Sequence, residues 1–131
     1  MLVIDKISRQ PIYEQIVQGI EREILKGLLH EQEKLPSVRE LSVLLNTNPN
    51  TIQKAFGELD RAGIILSIPG RGCFVAEGAV AVIRARLRER LTEVELIARE
   101  LASAGIHRDE LMAVIGRAYG ESAEQRKENE T

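Results

Sequence analysis

The sequence predicts a mainly α fold carrying one small β-hairpin. Three observations predict it. Apolar residues recur at three- and four-residue spacings over five separate stretches. Two short runs, the first rich in β-branched residues, flank a Gly-rich turn. The 131 residues suit one typical domain, or one small domain with an appendage, and a composition 44% hydrophobic and 29% charged predicts folding. Aromatic residues make up only 3%, so the core has to be aliphatic.

Pro11 suits a helix start, and Ile12, Ile16, Ile20 and Ile24 then line one face, with Tyr13, Val17 and Leu28 beside them. Glu14, Gln18, Glu21 and Arg22 fill the opposite face, and Gly27 falls where the helix would stop. Residues 28–36 read as a loop. Ser37-Val38-Arg39-Glu40 matches a capping box at the start of a two-turn helix with Val38, Leu41, Leu44 and Leu45 as its apolar positions. A third helix follows a brief turn. Asn48 is its cap and Pro49 its first residue; Ile52, Ala55, Phe56 and Leu59 face inward, and Gly63 closes it. Ile64–Ile68 and Cys73–Ala76, joined by Pro69-Gly70-Arg71-Gly72, form the hairpin. Helix, helix, short turn, helix, hairpin is the order of a winged helix-turn-helix, whose third helix enters a major groove.

The remainder predicts two helices, about 78–103 and about 108–121. In the first, Leu87, Leu91, Val94, Ala98 and Leu101 alternate spacings of four and three, a coiled-coil-like seam. In the second, Leu111 and Ile115 share a face with Val114 and Ala118. Two amphipathic helices of this size cannot close a core alone, so these seven residues are expected to join two copies of the chain. The expected organisation is therefore an N-terminal winged helix-turn-helix over 1–76, a two-helix dimerisation region over 77–121 and a polar, disordered tail over 122–131.

Four ordered motifs make the reading specific: Leu35-Pro36-Ser37-Val38-Arg39-Glu40-Leu41, Asn48-Pro49-Asn50-Thr51, Leu59-Asp60-Arg61-Ala62-Gly63 and Gly70-Arg71-Gly72-Cys73-Phe74-Val75. Together they resemble the DNA-binding domain of GntR-family transcriptional regulators, over roughly residues 10–76. The short helical tail resembles the YtrA-type subgroup. The resemblance implies a DNA contact at the position of Arg39 and entry of the wing-tip glycines into the minor groove. It also implies a repressor of its own operon, often one with transporter genes. Many family members have Arg near positions 49 and 53, where this chain has Pro49 and Gln53, and its Asn-Pro-Asn-Thr version resembles the YtrA-type subgroup.

The residue types fit that chemistry. The planar fork of Arg39 suits a guanine edge or a phosphate. Ser37 is explained as a cap, and phosphate contact would be a second role. Asn48, Asn50 and Thr51 sit at the start of the recognition helix, with Gln53 and Lys54 one turn on, away from the Ile52/Phe56 face. Their amide, hydroxyl and ammonium groups suit phosphates and base edges. Gly70 permits a tight turn, and Arg71 is placed to read groove width or a phosphate. The alternative reading of the same residues is a capped, solvated helix start and a turn with one exposed Arg.

Charge and cysteine usage narrow the remaining classes. Residues 1–76 carry 9 Lys and Arg against 9 Asp and Glu; residues 77–131 carry 9 against 11. Any DNA site is therefore a local patch, and a winged-helix protein-interaction module stands as the alternative. Arg84, Arg86, Arg88 and Arg90 spread over different helix faces and are expected to pair with Glu89, Glu93 and Glu95. His30, His107 and the single Cys73 lack metal-ligand spacing, so neither metal nor cofactor is expected. No nucleophile elbow, phosphate loop or dinucleotide fingerprint is present, which argues against an enzyme. With no signal peptide and no apolar run long enough for a membrane span, a cytoplasmic protein is expected. An unknown small-molecule effector would have to use a cleft at the dimer interface or beside the wing domain. The expected partners are a palindromic double-stranded operator and a second copy of the chain.

Overall fold

The isoleucines at four-residue spacing fold into α1 (Ile12–Leu25), with Ile16, Ile20 and Ile24 turned inward and almost fully buried. The computed structural model describes residues 2–121; the expected tail over 122–131 lies outside them. Two further helices follow, α2 (Val38–Leu45) and α3 (Pro49–Arg61). Then come the strands β1 (Ile65–Ile68) and β2 (Gly72–Val75), and the helices α4 (Ala79–Glu89), α5 (Leu91–Ser103) and α6 (Arg108–Ala118). Contacts divide the chain into two compact units, Met1–Arg88 and Glu89–Thr131.

In the first unit α3 packs against both α1 and α2, and its Ile52, Ala55, Phe56 and Leu59 complete the core with Leu41 of α2. The i, i+3, i+4, i+7 spacing of these four residues forces one face inward and leaves the polar face outside. Gly63, at φ +79, turns the chain out of α3, and the Ile64 N–H closes the helix end on the Leu59 carbonyl at 2.9 Å. That turn delivers Ile64 and Ile65 into the core, opposite Val75.

The hairpin is antiparallel, in the register Ile65–Val75, Leu66–Phe74, Ser67–Cys73 and Ile68–Gly72. Its turn is type II. Pro69 holds the first corner, Gly70 supplies φ +78 at the second, and the Arg71 N–H donates to the Ile68 carbonyl at 2.9 Å. The stretch expected to be a plain loop adds to this sheet. Lys34 bridges Phe74, the Leu35 N–H donates to Cys73 O, and the Val75 N–H donates to Glu33 O. β2 thus has a neighbour on each side. One bridged residue is too short a signal to stand out in a sequence pattern.

The helix expected over 78–103 is two helices. The two meet at Arg90, which stays in the right-handed helical region but with a tighter ψ of −9°, and its carbonyl accepts from the Glu93 N–H at 3.0 Å and, longer, from the Val94 N–H at 3.4 Å. The expected seam is split with it. Leu87 belongs to α4, while Leu91, Val94, Ala98 and Leu101 belong to α5. The first unit also runs past residue 76, because Ala79 and Ile83 of α4 are fully buried in its core. In the second unit α6 stops at Ala118, short of the 121 expected. α5 buries none of its residues. No helix among the described residues is long and apolar enough to cross a membrane.

Candidate nucleic-acid interface

Two capped helix starts carry most of the candidate residues. Ser37 caps α2: its Oγ accepts from the Glu40 N–H at 3.0 Å. That is the forward half of the expected capping box. Arg39, in the first turn, is exposed, and no described carboxylate pairs with it. Its long side chain is therefore not held in a local ion pair. It borders a shallow open groove with Ser37, Glu40, Val43 and Leu44.

α3 starts in the same way. Asn48 Oδ1 accepts from the Asn50 N–H at 2.8 Å, and Pro49 takes the first helical position, where no N–H is needed. Asn50 and Gln53 project into solvent and Thr51 is half-buried. The turn joining the two helices is tied at both corners. Ser42 Oγ donates to Thr47 O at 2.6 Å, and Lys6 Nζ donates to Asn46 O at 2.7 Å. Asn46 itself sits at φ +49, the left-handed conformation that asparagine tolerates. These ties fix α3 relative to α2, so the polar groups at its start are presented on a rigid frame.

Lys54 is placed differently from its neighbours. Its ammonium lies over the Tyr13 ring of α1, 4.0 Å from the centroid, within cation–π range. Burial and the adjacent Glu14 carboxylate, which accepts from the phenol, raise the Tyr13 pKa above its ordinary value. The ring stays neutral and keeps its face for the lysine. Nothing in the spacing signals this pair, because Tyr13 and Lys54 are forty-one residues apart.

On the wing, Gly70 and Arg71 are exposed at the turn, and a methyl on Gly70 would meet nothing within 4 Å. The glycine is needed there for its backbone angle and leaves the tip open. Cys73 is half-buried, with Sγ 3.2 Å from Ser67 Oγ. Among the described residues no group of three His, Cys, Asp or Glu is placed to hold a metal ion.

The boundary at Arg88 changes the electrostatics. Residues 1–88 hold 12 Lys and Arg against 10 Asp and Glu, net +2, whereas residues 89–131 hold 6 against 10, net −4. The unit that carries the candidate residues is thus the cationic one. Of the four arginines expected to pair, Arg90 pairs with Glu93, while among the described residues Arg84, Arg86 and Arg88 form no ion pair; Arg99 of α5 pairs with Glu95.

The residues expected to join two chains fall into two groups. Leu87, Leu91 and Val94 are exposed, whereas Ala98, Leu101, Leu111 and Ile115 are half-buried. Leu96, Ile97, Met112 and Val114 add to the apolar surface left open on α5 and α6.

Comparison with known proteins fits this geometry. Residues 12–75 match the model of the family described as bacterial regulatory proteins, gntR family. The HTH-type transcriptional repressor YtrA of Bacillus subtilis is 39% identical over 109 residues, covering 77% of this chain and 84% of the relative. A solved GntR family transcriptional regulator from Listeria monocytogenes superposes with a TM-score of 0.70 at 34% identity, covering 87% of this chain and 98% of that one. The DNA-binding domain of AraR, solved in complex with operator ORE1, superposes at a TM-score of 0.51 and 30% identity, over 58% of this chain and 93% of that domain. A winged helix-turn-helix with a helical C-terminal segment, similar along most of its length to a YtrA-type repressor, places this DNA-binding regulator of transcription in the GntR family.

Proposed function

We propose that the protein is a homodimeric repressor that acts in the cytoplasm on a palindromic operator. The observation that carries the reading is the start of α3. There Asn50 and Gln53 stand exposed on a helix whose own backbone is already capped by Asn48, so their side-chain amides are free for base edges. Each protomer lays α3 in a major groove and sets the wing, with Arg71 at its turn, beside the adjacent minor groove. Ser37, Arg39, Asn48, Thr51 and Lys54 complete the contact, with Lys54 moving off Tyr13 or reaching a phosphate from it.

The second unit supplies the dimer. Leu91 and Val94 on α5 remain open to solvent, and α5 has no core of its own. A second copy would cover these residues with Ala98, Leu101, Leu111 and Ile115, while Leu87, expected on the same seam, belongs to the first unit. Twofold symmetry then sets half-sites about one helical turn, roughly 10 bp, apart. Resemblance to YtrA-type repressors supports control of the protein's own operon.

The test is selection of duplexes from a random pool, followed by anisotropy titration of the selected duplex against a scrambled one over a salt series. The reading expects a palindromic selected sequence, bound by two chains per duplex and weakening steeply with salt. Selection of no sequence would overturn it in favour of a protein-binding winged helix.

A further inference from the structure

Lys34 was not among the residues that the sequence marked for DNA contact, yet the fold carries it to the wing. Its backbone bridges Phe74, so its side chain lies on the same sheet face as Phe74 and, two residues along β2, Gly72. It leans toward the turn end of that face. A methyl on Gly72 would meet Lys34 Cε at 3.0 Å and Nζ at 3.7 Å. The lysine stem thus runs across the bare backbone of Gly72 and holds its ammonium next to the residue that follows Arg71. Lys34 is exposed, and no described carboxylate pairs with it or with Arg71.

A lysine on an outer sheet segment often serves only to discourage pairing with another chain, and then it extends into water. This one is folded down over a glycine toward the turn. Lys34 and Arg71, from different parts of the chain, thus both border the wing turn, and neither is held in an ion pair among the described residues.

We propose that Lys34 is a second phosphate-binding cation of the wing, acting with Arg71 on the sugar–phosphate backbone beside the groove that the wing enters. The inference rests on the docking of the wing described under the proposed function. Lys34 positions without reading sequence, because a flexible ammonium bound to phosphate carries no base information.

The experiment compares wild type, Lys34→Gln, Lys34→Arg and Arg39→Ala on the duplex that wild type selects from a random pool, and on a scrambled duplex. Dissociation constants are measured by anisotropy from low to high salt. Loss of one phosphate contact should reduce the slope of log K against log salt by about 0.9. For Lys34→Gln the expected result is that reduction, with weakening by a similar factor on both duplexes and an unchanged melting temperature. Lys34→Arg should restore the slope. A Lys34→Gln slope equal to wild type, with Arg39→Ala still weakening the selected duplex, overturns the Lys34 role and leaves the DNA reading standing. Weakening confined to the selected duplex overturns it too, since that is base readout. If wild type selects no sequence, the DNA reading fails and this role fails with it.

Discussion

Replacing Leu91 with glutamate tests where two copies of the chain meet. Leu91 opens α5 and keeps 65% of its surface exposed, one turn before the exposed Val94. Full burial of a leucine is worth about 1.5–3 kcal/mol, so covering the part still open is worth about 1–2 kcal/mol per chain. A twofold interface uses the residue in both copies, which brings the loss to about 2–4 kcal/mol per dimer. The dimer dissociation constant should then rise roughly 30- to 1000-fold. Burying the new carboxylate costs more still, so the lower figure is a floor. Sedimentation equilibrium at micromolar concentration reads the constant directly. The melting temperature serves as a control, since Leu91 lies outside the core that Ile16, Ile52 and Leu59 build. An unchanged dimer constant in a folded Leu91→Glu protein would refute the reasoning and move the interface off this face of α5.

Two further substitutions address the DNA contact and the acid side of stability. Arg39→Ala should cost about 1–3 kcal/mol on the selected duplex if Arg39 reads a base. Equal loss on the scrambled duplex would make it a phosphate contact, and no loss on either would remove it from the interface. Glu21 of α1 is half-buried, and burial raises its pKa above the ordinary 4.5 while Arg86 of α4 pulls it down less strongly. A carboxyl whose pKa rises on folding binds more protons in the native state, so stability falls as pH climbs from below 4.5 through the raised value. Glu21→Gln should therefore melt higher than wild type at neutral pH, with the gain vanishing in acid well below 4.5. A lower neutral melting temperature would mean that pairing with Arg86 outweighs burial.

How far the sequence could be read follows from what each element depends on. The first three helices and the hairpin are legible because local rules and tertiary packing agree there. The four-residue isoleucine spacing of α1, the caps Ser37 and Asn48, and the Pro69-Gly70 turn each have one stable arrangement. The break at Arg90 had no such sign. No proline or glycine marks it, and the apolar spacing from Leu87 to Leu91 runs through it unchanged. Periodicity records which residues share a face and is blind to a single residue that tightens one turn of the helix. The pairing of residues 32–35 with β2 was hidden for another reason. It is made by backbone groups, and backbone bonds leave little mark on side-chain composition. Lys54 on Tyr13 and Lys34 over Gly72 are contacts between residues dozens of positions apart. Only the folded chain brings them together.

The two caps raise a question that chemistry answers. Ser37 and Asn48 both use their side-chain oxygens to hold a helix start, and both are also proposed to touch the DNA backbone. The roles are compatible because capping needs an acceptor and a phosphate needs a donor. Asn48 accepts from Asn50 N–H through Oδ1, which leaves its amide protons unspent; Ser37 accepts from Glu40 N–H and keeps its hydroxyl proton. Asn48→Asp separates the two functions. Aspartate caps about as well as asparagine and suits the positive end of the helix, so the melting temperature should hold or rise. It offers no donor and brings a negative charge toward the phosphates. A lost hydrogen bond to a charged group is worth about 1.5–3 kcal/mol, so affinity for duplex DNA should fall at least tenfold, on selected and scrambled sequences alike. Full affinity with full stability would show that Asn48 serves the helix alone. A fall in both would show that the cap depends on more than its acceptor oxygen. Only an intact fold with weakened binding matches a residue that holds the helix with one atom and the DNA with another.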